Sequence, residues 1–577
     1  RRGLPEMATE PTLNHRGYRE MTINIKELHT NLSVSEQLQA SDIGELASRG
    51  VRTLICNRPD GEGVDQPLFS EIEKAATEHG IKCHYLPVIT GKVGDDEAAD
   101  FGKLLLANDG PVHAYCRSGM RSTTLWALSQ AKQLPLADIV ATAKAAGYDM
   151  SGVAARIAGE RGELKSLKTY DVVIVGGGAA GIATAASLLA RDKTLSIAII
   201  DPADKHYYQP GWTLVGAGVF TPEQTMRDMA SLIPKGADWI KAAVAAFDPD
   251  SNTVTLEGCR LIKYTRLVVA AGIKLNWDGI EGLSETIGRN GVTSNYRYDL
   301  APYTWELVRN LKRGRALFTQ PPMPIKCAGA PQKAMYLSGD HWYKNQGITN
   351  INIEFYNAGA VLFGVADYVP ALMEYVKKYK AELKLNHKLV RIDGDKKTAY
   401  FETANADGGT NIVSREFDMI HVCPPQTAPD FIRSSPLVDD AGWVDVDQYT
   451  LRHKRYNNIW SLGDVCNAPN AKTAAAARVQ APIVAANIIA DRQGTHKIAH
   501  YNGYGSCPLT VERGKIVLAE FGYGGKLLPS MPKWIINGTK PTRAAWFLKE
   551  KLLPPIYWQA MLKGKEWLVK PVMDDDA

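Results

Sequence analysis

Short apolar, β-branched runs alternate with helix-like stretches over the first quarter of the chain. TINIKELHTNLSVS, VRTLICN, IKCHYLPV and PVHAYC are separated by segments such as DIGELASR and FSEIEKAATEHG. That order predicts βαβ units and a largely parallel sheet over residues 21–158. Residues 1–20 read as a polar arm, and 159–169, where Gly and charge accumulate, as a linker. From Tyr170 the pattern restarts as an apolar strand, a glycine turn and an Ala-rich helix, and this α/β unit runs to residue 525. Residues 526–577 interleave Trp, Leu, Ile and Phe with lysines, which predicts short amphipathic helices. The fold class is therefore α/β throughout, with an amphipathic helical tail.

A chain of 577 residues exceeds one core, so several domains follow. Lys+Arg 67 against Asp+Glu 62 leaves a net charge of +5, too small for a nucleic-acid binder of this size. No run reaches the roughly 20 apolar residues of a spanning helix, so membrane contact is expected to be peripheral. The first thirty residues mix acids, bases and Pro without an apolar run, so no secretory signal is expected. Eight cysteines without CxxC spacing predict neither a disulfide scaffold nor a metal site, and the absence of CxxCH excludes covalent haem.

DVVIVGGGAAGIATAASLL places Gly176, Gly178 and Gly181 between an apolar strand and a small-residue helix. Gly176 suits the tight turn, Gly178 lets the backbone approach a pyrophosphate, and Gly181 permits close helix packing. The next strand ends in Asp201, the acid expected on a ribose hydroxyl. RLVVAAG, ending in Gly272, and NIWSLGDV, with Gly463 and Asp464, resemble later motifs of two-dinucleotide flavoproteins. They favour FAD, with Lys472 and Thr473 opening a helix toward the flavin. Pyridine-nucleotide disulfide reductases carry a second GxGxxG mid-chain. Here RALFTQPPMPIKCAGAPQKAMYL replaces it, so the electron donor is not expected to be NAD(P)H.

KHYYQPGWTLVGAG, PIKCAGAPQKAMYLS, GWVDVD, LGDVCNAPNAKTAAAA, SCPL and LPPIYWQAMLKG occur in the order found in sulfide:quinone oxidoreductases, particularly the mitochondrial branch. From Tyr170 onward the chain resembles that family. The resemblance implies two Rossmann-like subdomains, FAD, hydrogen sulfide as donor and a membrane quinone as acceptor. It also implies a redox pair of cysteines, carried to Cys327 and Cys466: Cys466 captures sulfide as a persulfide and Cys327 is the flavin-facing thiolate. Val465 intervenes where the family's cysteine directly follows Gly-Asp. Lys326 is expected to favour the Cys327 thiolate. Cys507, in SCPL, receives no redox role. Cys56, Cys83, Cys259 and Cys423 read as buried apolar positions, while His206 and Tyr208 suit either a cofactor wall or a packed turn.

In the tail, Trp534, Trp546, Trp558 and Trp567 with Leu552, Leu553, Ile556 and Tyr557 are expected at the acyl boundary. Lys533, Lys549, Lys551, Lys563 and Lys565 would meet lipid phosphates. The competing arrangements are packing on the protein itself and a homodimer interface. The expected location is peripheral (monotopic), on the cytoplasmic face of a bacterial inner membrane.

PVHAYCRSGMRSTTLWALSQA sets Cys116 between an apolar strand and a helix, with Arg121 closing the loop. Backbone N–H groups, the helix start and Arg121 suit a thiolate and an anionic adduct. NRPDGE and CRSGMRS resemble the phosphatase-like domain of beta-lactamase-hydrolase-like sulfur enzymes, which has a tyrosine-phosphatase scaffold. Four residues separate Cys116 from Arg121, one fewer than in a phosphatase cradle, and the loop resembles that of rhodaneses. Transfer of sulfane sulfur to a small thiol such as glutathione is therefore preferred to phosphatase chemistry. Asp60 reads as a turn residue before Gly61 rather than an acid. The rival readings are an NAD(P)H:quinone oxidoreductase with a phosphatase or docking N-terminal domain, and a flavocytochrome-type sulfide dehydrogenase with a haem partner.

Overall fold

The computed structural model describes residues 23–575 apart from 64–65, 109, 161–167, 258–259, 346 and 405–408. The polar arm, Cys259 and most of the expected linker lie outside the described residues. The chain forms two compact units, 1–157 and 158–577.

In the first unit, β1 (Lys26–His29) pairs antiparallel with β2 (Leu32–Ser35). Strands β3 (Thr53–Cys56), β4 (Lys82–Tyr85) and β5 (Val112–Tyr115) complete a sheet of order β1-β2-β5-β3-β4, parallel from β2 onward. Strands β3 and β5 are buried along their whole length because both faces are covered. Ile55 and Ala114 pack on Phe101 and Trp126 on one side; Leu54, Cys56 and Tyr115 pack on Ile43 and Ile72 on the other. Helices α1 (Phe69–Glu78), α2 (Asp95–Leu106) and α3 (Met120–Ser129) supply Ile72, Phe101 and Trp126, and the short helix Ile43–Ser48 supplies Ile43. Helix α3 follows β5 directly, which puts Cys116 at the carboxyl edge of the sheet.

The second unit opens with β6 (Thr169–Val175), α4 (Ala179–Arg191) and β7 (Ile197–Ile200). With β8 (Ala237–Ile240), β9 (Val244–Asp248), β10 (Thr253–Leu256) and β11 (Leu261–Val269) they give a sheet of order β8-β7-β6-β11-β10-β9. A second, parallel sheet follows: β12 (Val292–Thr293), β13 (Gly314–Gln320), β14 (Ile351–Asn357), β15 (Glu382–Leu385) and β16 (Met419–His421), in the order β12-β16-β13-β14-β15. Helix α5 (Ala330–Lys344) follows β13 through the proline-rich segment 321–329. Strand β17 (Ile459–Ser461) returns to pair with β11, and α6 (Ala474–Gln493) packs against α4. The hairpin of β18 (Gly505–Glu512) and β19 (Lys515–Phe521) lies against α5.

The tail forms short helical turns, α7 (Arg543–Phe547), a π-turn at Leu548–Leu552 and α8 (Leu553–Gln559), and then a strand Met573–Asp575 pairs with Lys497–Ala499. Among the described residues, no helix is long and apolar enough to cross a membrane.

Candidate functional site: a dinucleotide cradle and a thiol pair

The turn after β6 is tight, and its glycines leave no room for side chains at two of three positions. Gly176 has φ +109°, and a Cβ there would stand 2.3 Å from the Ala270 carbonyl oxygen. A Cβ on Gly181 would come within 1.9 Å of the Gly176 oxygen, so this glycine lets α4 close on the strand. A Cβ on Gly178 would meet nothing within 4 Å, because that residue borders a cavity of about 980 Å³. Asp201 accepts from Gly177 N–H at 2.7 Å and from Ala203 N–H at 2.8 Å. Gly272, Gly463 and Asp464 border the same cavity, as do Lys472 and Thr473. Thr473 caps α6 by accepting from Ala476 N–H at 3.2 Å. Burial raises the Asp464 carboxyl, against the pull of Lys472 and Lys326. An open backbone cradle at a helix start, an acid beyond it and a second helix N-terminus fit a dinucleotide with a flavin at its far end.

Farther along the cavity stands Cys327, at φ +50° ahead of α5. Its N–H donates to the Lys472 carbonyl at 2.8 Å, and the Tyr296 hydroxyl donates to the Lys326 and Cys327 carbonyls, each at 3.2 Å. Its sulfur lies 3.8 Å from Cys507 Sγ and accepts from Lys333 Nζ at 3.1 Å. The Cys327 thiol is held well below the ordinary thiol range. The hydrogen bond from Cys507 does most of this, then the Lys333 ammonium and more weakly Lys549, with burial opposing. Cys507 is pushed up by the same hydrogen bond and by burial. Lys333 is buried, yet the Cys327 thiolate keeps it charged. Lys549 reaches in from the tail, donates to the Pro210 carbonyl at 2.8 Å, and is pushed down to about 7 by burial and by repulsion from Lys333. The site is thus one stabilised thiolate, one protonated thiol and two lysines, one of them able to exchange a proton near neutrality.

In the first unit, Cys116 is fully buried and accepts from Gly119 N–H at 3.1 Å, with Gly119 at φ +85°. Arg121 donates to Glu62 through both terminal nitrogens, at 2.8 and 2.7 Å, and to the Val88 carbonyl at 2.8 Å. Arg58 holds the same carboxylate at 2.8 Å. The two guanidiniums lower the Glu62 carboxyl, outweighing its burial. Asp60 accepts from Phe69 N–H at 2.8 Å at the start of α1, a structural role. The sequence reading missed Glu62, although it ends the NRPDGE segment that carried the resemblance.

Residues 24–133 match the family model described as beta-lactamase hydrolase-like protein, phosphatase-like domain, and residues 170–315 match pyridine nucleotide-disulphide oxidoreductase. The chain is 42% identical over 420 residues to the mitochondrial sulfide:quinone oxidoreductase of Dictyostelium discoideum, covering 72% of this chain and 91% of that protein. The chain belongs to the sulfide:quinone oxidoreductase family. The solved sulfide:quinone oxidoreductase of Aquifex aeolicus has the same fold, with a TM-score of 0.58 at 20% identity over 69% of this chain and 92% of that one. The N-terminal part is 28% identical over 130 residues to the beta-lactamase hydrolase-like protein of Xylella fastidiosa, which is 22% of this chain and 30% of that protein. The fusion expected from the motifs is present, and as a sulfide:quinone oxidoreductase family member the chain is a FAD enzyme.

Within this sulfide:quinone oxidoreductase scaffold, three expected placements change. The sulfur facing Cys327 is that of Cys507, not Cys466. Lys472 Nζ takes the Asp464 and Cys466 carbonyls at 2.7 and 2.8 Å, and Cys466 Sγ, fully buried, donates to the Gly463 carbonyl at 3.4 Å. Lys326 sends its ammonium to Gln209 Oε1 at 2.8 Å, and Lys333, on the first helical turn of α5, is the cation on Cys327. Lys549 does not face lipid, and Trp558 and Tyr557 are buried beside His206 and Tyr208. His206 bridges the Gly177 carbonyl at 3.1 Å and the Tyr557 hydroxyl at 2.6 Å and borders the cavity. Cys423 is buried, with its thiol pushed up to about 12 by burial. Cys56 and Cys83 sit in or against the first unit's core.

Proposed function

We propose that Cys327 and Cys507 are the redox pair of a FAD-dependent oxidation of hydrogen sulfide, with membrane quinone as the final acceptor. The 3.8 Å approach of their sulfurs beside Lys333 carries this reading. In the oxidised pair the two sulfurs are bonded. Hydrosulfide attacks Cys507 Sγ, the S–S bond breaks, and Cys327 leaves as the thiolate that Lys333 stabilises, so Cys507 holds the persulfide. Lys549, with its affinity for a proton near 7, takes the proton of incoming hydrogen sulfide. A small thiolate such as that of glutathione then attacks the outer sulfur, departs as its persulfide and leaves Cys507 reduced. Gly176, Gly178, Gly181, Asp201, Gly272, Gly463, Asp464, Lys472 and Thr473 would hold FAD, which when bound would supply the two-electron link between the thiols and quinone.

The exposed apolar side chains of the tail support a peripheral bilayer contact. Trp534 is 85% exposed and Leu568 84%, with Phe547, Leu552 and Trp567 also exposed, and Leu568 borders the cavity itself. A quinone can enter from such a contact without a spanning helix.

In the N-terminal unit, the short loop from Cys116 to an Arg121 already gripped by Glu62 favours transfer of sulfane sulfur over phosphate hydrolysis. Cys116 would take sulfur from a small persulfide and pass it to a thiol. Anaerobic sulfide titration of the full-length holoprotein tests the main reading. Flavin bleaching by sulfide, no bleaching by NADH, and recovery on adding quinone are expected; bleaching by NADH but not by sulfide would overturn it.

A further inference from the structure

Reduction of a quinone consumes two protons with its two electrons, and the thiol chemistry names no group that delivers them. Glu520, on β19, borders the cavity among Leu527, Leu528, Pro529 and Met531, and is 4% exposed. Its Oε1 accepts from the Tyr504 hydroxyl at 2.7 Å and from Ser530 Oγ at 2.5 Å, and its Oε2 accepts from Ser530 N–H at 3.1 Å. These hydrogen bonds to the carboxylate all come from neutral donors. A buried carboxylate held by neutral donors, on an otherwise apolar stretch of cavity wall, is placed where a polar atom of a lipophilic ligand would meet it.

Exposed residues lie on the same stretch of cavity wall. Tyr504 is half-buried and borders the cavity, as do His500 and Asn502, both exposed. Arg478, buried on α6, acts on the Tyr504 hydroxyl electrostatically, and Tyr368 pairs with the Glu520 backbone at 3.0 Å. Of the cavity's other titratable groups, Lys333 donates to Cys327, Lys549 to the Pro210 carbonyl, Lys326 to Gln209 and Lys472 to the Asp464 and Cys466 carbonyls, while the Asp464 carboxyl faces Lys472 and Lys326.

We propose that Glu520, fed through Tyr504, is the acid that protonates quinone as it is reduced. The Glu520 carboxyl gives its proton to a quinone oxygen, the carboxylate left behind is reprotonated through the Tyr504 hydroxyl from the mouth near His500, and a second cycle completes the quinol. The inference rests on the quinone-reducing reading above.

The test is stopped-flow spectroscopy of full-length holoprotein, as wild type, E520Q, E520D and Y504F, in two half-reactions. Sulfide should reduce the flavin of all four at the wild-type rate. Reoxidation by decylubiquinone should fall about 10²-fold in E520Q and less in Y504F, with most of the rate restored in E520D. The solvent deuterium isotope effect on reoxidation should change in E520Q, while decylubiquinone quenching of tryptophan fluorescence reports unchanged affinity. Wild-type reoxidation in E520Q, or a loss explained by weaker quinone binding or by unfolding that E520D shares, would overturn the role. If the wild type itself fails to be reoxidised by the quinone, the quinone-reducing reading fails instead, and the two failures are separate.

Discussion

Cys327 and Cys507 meet at 3.8 Å only because residue 329 is a glycine: a Cβ there would stand 2.5 Å from Cys507 Sγ and 2.4 Å from Leu509 Cδ2. The backbone between β13 and α5 is therefore pressed against β18, and the sulfur pair depends on that contact. Gly329→Ala should fold with a loss of about 1–3 kcal/mol from overpacking, while the oxidised form loses its disulfide. Thiol counting in denaturant before and after reduction measures this, and an intact disulfide in G329A would contradict it.

The two cysteine partners make opposite predictions. C507S and C327S should lose sulfide-dependent quinone reduction by at least about 10³-fold, the scale of removing a covalent nucleophile. C466S, whose thiol donates to the Gly463 carbonyl inside the core, should keep activity within a few-fold. Steady-state decylubiquinone reduction distinguishes them; inactive C466S with active C507S would restore the pairing expected from sequence.

Lys549 gives a prediction in pH. Its affinity for a proton is lowered by burial and by Lys333, to about 7 in the folded state. Below pH 7 the folded protein carries the buried charge and its cost in full. Between about 7 and 10.4 the unfolded chain binds more protons than the folded one, so this cost fades as pH rises. K549M should therefore gain thermal stability over wild type most at or below pH 7, with the gain shrinking toward pH 9. A gain that grows with pH would show that Lys549 is not the group titrating.

Arg121 is oriented by Glu62 and by the Val88 carbonyl. Glu62→Ala should cost about 1–3 kcal/mol, the range for losing charged hydrogen bonds, and should slow sulfur transfer from Cys116 more than it weakens donor binding. A persulfide-transfer assay on the full-length protein, with C116S as its blank, reads kcat and KM separately. Transfer in E62A equal to wild type would remove Glu62 from the loop's function.

Trp534 and Leu568 are 85% and 84% exposed, so W534S/L568S should change stability by no more than about 0.5 kcal/mol. Co-sedimentation with anionic vesicles should drop several-fold in that double variant, and wild-type retention would move the bilayer contact elsewhere.

Periodicity was enough to read the α/β class, because it is written in neighbouring residues whose backbone geometry is local. The Gly176, Gly178 and Gly181 roles follow from what a single turn tolerates, and Cys116 with Arg121 from one strand, loop and helix. Which sulfur meets Cys327 was not local. Cys466 and Cys507 both follow motifs near the cofactor, and choosing between them required knowing that Lys472 draws the Cys466 carbonyl inward while β18 turns Cys507 toward α5. Lys333, Lys549 and Glu62 were hidden for the same reason: each acts on a partner far away in the chain or across a helical turn. Sequence determined the parts whose physics is a bond angle or a short repeat, and tertiary packing alone decided the thiol pair and its charges, since those depend on which buried groups share a low-dielectric space.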